Sequence, residues 1–472
     1  MTTDHGATDL LRRLDRLPFT RVQFGLLNVI GVGAIFESID ILALSVLLPV
    51  LSKHFGLTSA DAGLLASASL LGMAVGAVIA GVLADRLGRR RIIMYALGAF
   101  SLFTMIAAFS PTWGFLFVMR TLAGIGLGAE AAVLPTYLSE FVPGRARGKY
   151  VGTLSGYLAL GGFPTPLLAY AIVTPFADGW RYFLFVLGLP VFLLLWWRRR
   201  LPESPRWLLE HGRASEAEAV VSDLERRVEQ RLGTPLPPVP AGKPVGRPQP
   251  ADPPLQAFRR LWSGRLARRT AVVWVAIFAI QFCNWGFSSW APSLLVSQGV
   301  EINRSLLLTA IVQAGAVPGY FISAMLSDRI SRPKLVAMWM ALTAMCGFAM
   351  ASWHSPMSTV IFGCAVIGAN GAAIGAIYTY VPEQYPTSLR GTGFGSANAF
   401  GRIGAILAPI IIGFTVNGLG AAGVFALLAT VIAVGVIVLV AFGTRTNNQT
   451  LEQLSDELVA SPRSQPVSRN AE

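Results

Sequence analysis

Twelve stretches of this sequence each hold roughly 20 mostly apolar residues, the length a helix needs to cross a hydrocarbon core about 30 Å thick. They fall near residues 22–51, 62–83, 92–110, 113–135, 149–172, 180–197, 270–296, 305–327, 335–352, 357–381, 393–416 and 420–442. Inside a bilayer the backbone finds no water, so each run must satisfy its own hydrogen bonds as a helix. The fold class follows: an all-α membrane protein with twelve transmembrane helices. Composition agrees, since 53% hydrophobic residues, 13% charged residues and a mean hydropathy of +0.57 do not suit a soluble chain.

The spans are arranged as a repeat. Gly81 to Arg91 contains an Asp-Arg pair, Asp85-Arg86, which returns as Asp328-Arg329, 243 residues later (328 less 85). The same shift carries Tyr137 onto Tyr380, Glu140 onto Glu383, Pro143 onto Pro386, Arg147 onto Arg390 and Gly148 onto Gly391. Pro49, Pro166, Gly72, Gly76 and Gly128 meet Pro292, Pro409, Gly315, Gly319 and Gly371 without a gap. The sequence therefore predicts two pseudo-symmetric six-helix bundles, the parallel-repeat plan of many secondary transporters.

The formal net charge of +13 would suggest nucleic acid in a soluble chain. Here the basic residues lie in short loops without interleaved aromatics, so no nucleic-acid partner is expected. Arg86, Arg89, Arg90 and Arg91, then Arg145, Arg147 and Lys149, then Arg329, Arg332 and Lys334 share one side with the N-terminus. The opposite loops carry only Lys53, Arg181 and Arg304. The positive-inside bias puts both termini in the cytoplasm of a bacterial-type inner membrane. The expected organisation is a cytoplasmic N-terminus (1–21), an N-terminal bundle (22–197), a cytoplasmic linker with amphipathic helices and a Pro-rich segment (198–269), a C-terminal bundle (270–442) and a cytoplasmic tail (443–472). Trp196 and Trp197 before Arg198 to Arg200 read as an interfacial stop. Residues 203–232 read as soluble helix and Thr234 to Pro254 as a disordered linker. Phe258, Leu261, Trp262 and Leu266 among Arg259, Arg260, Arg265, Arg268 and Arg269 suggest an amphipathic helix on the inner surface.

These motifs resemble the major facilitator superfamily over essentially the whole membrane region. Gly81 to Arg91 is similar to its loop signature, and Arg120 to Gly128 to its fourth-helix signature. Pro202-Glu203-Ser204-Pro205-Arg206-Trp207-Leu208 is similar to the motif after the sixth helix of sugar porters and organic-ion carriers. Phe36-Glu37-Ser38-Ile39-Asp40 resembles the first-helix acidic motif of aromatic-acid and nicotinate proton symporters, with Glu and Ser where Asp and Gly are commoner. Pro382 to Gly391 and Phe400 to Gly404 resemble the same metabolite:proton symporter branch.

Ionisable side chains within a span cost several kcal/mol unless paired or wet, so each needs a reason. Glu37 and Asp40 are three residues apart on one helical face, where adjacent carboxyls raise each other's proton affinity. Asp40 is about 11 residues and Arg120 about 7 residues from the outer ends of their helices, a depth difference of roughly 6 Å that an ion pair can bridge. The resemblance implies a proton-coupling set of Asp40, Glu37 and Arg120; a static bridge between helices is the alternative. Glu130 is a second titratable site or, as favoured here, a structural group. Arg402 lies about 10 residues into the eleventh span with no acid on its own helix, so a solute carboxylate is a candidate partner. Gln281, Asn284, Trp285, Trp290, Asn370, Tyr378 and Tyr380 could line such a substrate site, although helix-to-helix bonding and packing would occupy the same residue types. Arg402 could instead pair with Glu37 or Asp40. Asp85 with Arg86 and Arg89, Glu140 with Arg147, Asp328 with Arg329, and Glu383 with Arg390 read as a conformational latch that must break during transport.

No nucleophile with a base, metal cluster or Walker loop appears, and His5, His54, His211 and His354 lie outside the spans. Cys283, Cys346 and Cys364 show no pairing or metal spacing. The chain reads as a carrier, not an enzyme, with no cofactor and the proton as coupling ion. The fifth-span segment Gly156 to Pro166 departs from the pattern of the superfamily's proton-driven drug exporters, which favours symport, and Arg402 makes a small organic acid such as an aromatic or pyridine carboxylate the expected solute. Sugars, organic cations, drugs and a non-transporting sensor remain open at this point. The expected partners are a small-molecule substrate, protons and membrane lipid, with the carrier acting as a monomer.

Overall fold

The computed structural model describes residues 10, 12–18, 20–143, 147–239, 253–327, 329–353, 355–386 and 388–443. The first six spans and their connections comprise α1 (Arg21–Phe55), α2 (Ser59–Leu87), α3 (Arg89–Ala107), α4 (Trp113–Ser139), α5 (Arg147–Gly162), α6 (Pro164–Val173), α7 (Gly179–Leu187) and α8 (Leu193–Arg200). Two helices of the central insert follow, α9 (Pro205–Glu210) and α10 (Ala214–Leu232). The later elements are α11 (Pro254–Leu261), α12 (Gly264–Ser297), α13 (Ile302–Ala314), α14 (Ala316–Leu326), α15 (Arg332–Ser352), α16 (Pro356–Tyr380) and α17 (Arg390–Phe442).

Among the described residues ten apolar segments are long enough to cross a membrane, and a shorter apolar stretch covers Gly179–Phe192. The twelve expected spans are recovered because α17 joins two of them, parted at Gly420 (φ 63°, ψ −176°), and because the short stretch opens the sixth. Helix ends follow local chemistry. Thr20 with Gln23, Thr58 with Asp61 and Ser355 with Ser358 form capping boxes that satisfy free backbone donors. Proline has no N–H and cannot bond the carbonyl four residues back. Pro166, Pro190 and Pro318 accordingly stand where α5, α7 and α13 stop and a second helical piece takes over.

The chain divides into two compact units, one of Met1–Arg247, Ser288–Ala314 and Pro409–Ala421, the other of Pro248–Phe287, Gly315–Ala408 and Ala422–Glu472. In the first, α2 lies so close to α4 that a Cβ on Gly72 or Gly76 would overlap the carbonyl oxygen of Thr121 or Ile125. In the second, the repeat-related Gly315 and Gly319 of the eighth span face the carbonyls of Cys364 and Gly368 in the same way. Lipid tails give apolar helices no hydrophobic reason to associate, so close backbone approach through small residues is what holds such pairs together. The first unit also joins Ser59 to Asn417 through a 2.8 Å hydrogen bond, and Gly63 faces the backbone of Pro409 and Gly413.

Three sequence expectations need correction. Trp197 is fully buried and its indole N–H donates to the Val29 carbonyl at 3.1 Å, because α8 folds back on α1; only Trp196 is exposed as an interfacial ring would be. The surface helix ends at Leu261, and Leu266, Arg268 and Arg269 open α12 instead. The soluble helix of the insert is two helices, α9 and α10, parted at Gly212, whose φ of 72° suits a residue without a Cβ. Residues 240–252 of the Pro-rich segment lie outside the described residues.

Candidate functional site

The three-residue spacing on α1 places Asp40 where helices α2, α3 and α4 each present one polar side chain. Arg120 Nη1 donates to Asp40 Oδ1 at 2.9 Å, and Arg120 Nη2 to Asp40 Oδ2 and to the Asp40 carbonyl, both at 2.9 Å. Thr104 Oγ1 donates to Asp40 Oδ1 at 3.1 Å and accepts from Arg120 Nη1 at 2.9 Å, while Ser69 Oγ accepts from Nη2 at 3.0 Å. Arg120 and Asp40 are both fully buried. A forked guanidinium on two carboxylate oxygens is the strongest ion-pair geometry available, and the two hydroxyls add to it at Nη1 and Nη2, while Nε has no partner among the described residues. Thr104 and Ser69 were not singled out in the sequence; a hydroxyl in an apolar run is a common, uninformative feature until a charge is seen beside it. Glu37 is 2% exposed and Glu130 0%, and these two carboxyls lie within electrostatic reach of one another.

The second unit holds most of the proposed solute-binding residues. Arg402 is half-buried on α17 and makes no ion pair among the described residues. Gly401 brings α17 against Ile277 and Gln281 of α12, so Gln281 packs on the residue preceding Arg402. The Gln281 and Asn284 amides are half-buried and make no hydrogen bond to a described residue. Trp285 is half-buried on the same helix, and the 39% exposed Tyr378 is within electrostatic reach of Arg402, edge-on to Phe394 at 5.6 Å between ring centroids. Two other candidates are engaged in packing. Asn370 is fully buried, donating to the Ile280 carbonyl at 3.4 Å and hydrogen-bonded to Cys283. Trp290 belongs to the first unit, where its indole N–H donates to the Pro409 carbonyl at 3.1 Å. Tyr380 is likewise buried. The Asn370 amide N–H and the Trp290 indole N–H thus tie helices together, since a buried donor left unmatched costs about 1–3 kcal/mol.

At the basic-loop ends the charges pair differently from their order in sequence. Arg89 Nε meets Glu140 Oε1 at 2.7 Å and Arg89 Nη2 meets Asp85 at 3.5 Å, whereas Arg86 is exposed. Burial pushes the Glu140 carboxyl up, against the pull of Ser204 and Arg89. In the second unit Arg332 pairs with Glu383, while Arg390 Nε donates to the Pro382 carbonyl at 3.2 Å. Arg89 and Arg332, like Glu140 and Glu383, are 243 residues apart (332 less 89, and 383 less 140), so the same bond is built twice. In both bonds an arginine opening the third or ninth span reaches the acid at the end of the neighbouring span. Asp328 and the Arg147 side chain lie outside the described residues, and Arg329 is exposed.

The motif after the sixth span closes the first of these ends. Glu203 Oε1 accepts from the Arg90 N–H at 3.1 Å, Trp207 Nε1 donates to the Asp85 carbonyl at 2.8 Å, and Tyr137 Oη donates to the Pro202 carbonyl at 2.6 Å. Glu203 was absent from the sequence-derived site; its acceptor role at the N-terminus of α3 depends on a contact across 113 residues. Among the described residues no group of three or more His, Cys, Asp or Glu is placed to hold a metal ion.

A family model described as "Sugar (and other) transporter" matches residues 29–458. The chain is 34% identical over 447 residues to the niacin transporter NiaP of Acinetobacter baylyi, which spans 94% of this chain and 99% of that protein. It is 31% identical over 425 residues to the gallate transporter of Pseudomonas putida, covering 88% of this chain and 90% of that one. Its fold is similar to that of the inward-open xylose transporter XylE from E. coli, with a TM-score of 0.71, 17% identity, and coverage of 93% and 100%.

Proposed function

This chain belongs to the sugar (and other) transporter family of the major facilitator superfamily, and from that premise we propose a proton-coupled symporter that takes up a small aromatic or pyridine carboxylate. The observation that carries the substrate class is Arg402, half-buried with no ion pair among the described residues, within electrostatic reach of Tyr378 and next in sequence to Gly401, which packs on Gln281. A guanidinium fork binds a carboxylate bidentately, and amide and phenol groups orient a ring attached to it. Niacin and gallate, named for two relatives, are each a ring bearing a carboxyl group, which supports the same class. Asn284 and Trp285 belong to this site, and Asn370 holds its frame. The proton binds among the acids of α1, Glu37 and Asp40, with Arg120 as their basic counterpart. One monocarboxylate carried with one proton moves no net charge. The carrier works as a monomer in the inner membrane, with both termini in the cytoplasm and no nucleic-acid partner. Asp85, Arg89, Glu140, Arg332 and Glu383 bias its conformations.

A relative named as an organic cation/carnitine transporter, with the acids Glu37 and Glu130, favours a cation as the second reading. Binding of a carboxylate, its amide and a matching amine to purified wild type and Arg402→Ala separates the two. The acid should win in wild type and lose its advantage in Arg402→Ala, with Arg402→Lys already impaired because a point charge cannot replace the planar fork. An equal carboxylate preference in both proteins removes Arg402 from the site, and tighter amine binding reverses the charge assignment.

A further inference from the structure

We propose that Glu130 and Glu37 form a carboxyl pair that shares one proton at neutral pH, and that Glu37, among the acids of α1, holds the carried proton through this pair; the proposal rests on the symport reading above. Glu130 is fully buried on α4, and neither carboxyl oxygen has a hydrogen-bond partner among the described residues. Its head group is aimed at α1: a Cβ on Gly33 would sit 3.0 Å from Glu130 Oε1 and collide with the Trp197 ring. Glu37 is one turn further along α1, 2% exposed and within electrostatic reach of Glu130. Two ionised carboxylates in so dry a place would repel each other without hydration to compensate. A single proton between them removes one charge and supplies the missing donor.

Asp40 is in the opposite condition. Both of its oxygens are engaged by Arg120 and one also by Thr104, so a proton placed there would have to displace a bond to a fully buried cation. Apart from the Asp40–Arg120 pair, the other charged positions on the helices packed against α4 stand in their end turns: Arg21, Lys53 and His54 on α1, Asp61, Asp85 and Arg86 on α2, Arg89, Arg90 and Arg91 on α3, and Arg147 and Lys149 on α5. The other titratable side chains on these helices are the phenols Tyr95, Tyr150 and Tyr157. Glu37 is thus the ionisable neighbour that sets whether Glu130 carries a proton.

Purified wild type, Glu130→Gln and the conservative Glu130→Asp, reconstituted in liposomes, test this. Infrared spectra at neutral pH should contain a protonated-carboxyl stretch in wild type that Glu130→Gln lacks and Glu130→Asp keeps at a shifted position. In Glu130→Gln, exchange of a labelled carboxylate without a gradient should survive in part. Accumulation driven by an inward proton gradient should fall to equal concentrations inside and outside, and the pH dependence of solute binding should flatten. Full gradient-driven accumulation in Glu130→Gln overturns the proposal. Absence of the protonated-carboxyl band in wild type overturns it too, even if Glu130→Gln proves unable to fold. If wild type itself cannot accumulate acid against a gradient, the symport reading falls and the carried-proton role falls with it, while the infrared band still decides whether the pair shares a proton.

Discussion

Removing the Asp40 carboxylate is the most direct test of how the first unit is held together. Arg120 is 0% exposed and keeps only the hydroxyls of Thr104 and Ser69 and the residue-40 carbonyl once that carboxylate is gone. None of these cancels a full charge. Breaking a buried pair by deleting one partner costs about 3–5 kcal/mol, because an uncompensated charge stays in low dielectric. Asp40→Ala is therefore expected to lose about 3–5 kcal/mol of unfolding free energy, whereas Asp40→Leu with Arg120→Met, which removes both charges, should stay at or above wild-type stability. Asp40→Asn should fall between, since the amide oxygen still accepts from Arg120. The assay is SDS-induced unfolding in mixed micelles, followed by tryptophan fluorescence and refolding. An Asp40→Ala variant within about 1 kcal/mol of wild type, or a double variant as unstable as the single, would refute the assignment of Arg120 as a charge that needs Asp40.

At the basic-loop end, Glu140→Gln should slow solute exchange more than Asp85→Asn, since the Arg89–Glu140 bond is short and sheltered while Asp85 is 75% exposed at the side chain; equal effects in exchange assays would remove that ranking, and wild-type rates in both would remove the conformational role. In the N-terminal segment, burial pushes Glu225 up, but hydrogen bonds from Arg13 and Arg16 outweigh it and hold the carboxyl below its ordinary value. A depressed folded value means that this clamp contributes fully above the unfolded carboxylate value, about 4.3, and is lost as pH falls through the still lower folded one. Amide-exchange protection around residues 12–16 should accordingly hold from about pH 8 to 5 and fade below about 4, and Glu225→Gln should remove it at neutral pH; protection unchanged in that variant would show the clamp to be inert.

The sequence by itself determined the number, order and helical nature of the spans. Each is fixed by a local condition, an apolar run long enough to satisfy its own backbone in lipid. Caps and breaks were also written locally, as at Thr58 with Asp61 and at Pro166 and Pro318. The repeat of 243 residues told that Glu140 and Glu383 occupy equivalent places, and depth counting brought Asp40 to the level of Arg120. Tertiary structure decided which partner each charge takes. Pairing depends on rotation of neighbouring helices by a fraction of a turn, which no run of residues records. Arg89 reaches Glu140, Trp197 turns inward to cover Gly33, and Asn370 and Trp290 spend their hydrogen bonds on other helices. The same rotation aims Glu130 at α1 beside Glu37, a relation between positions 93 residues apart (130 less 37) that becomes visible only when the two helices are packed.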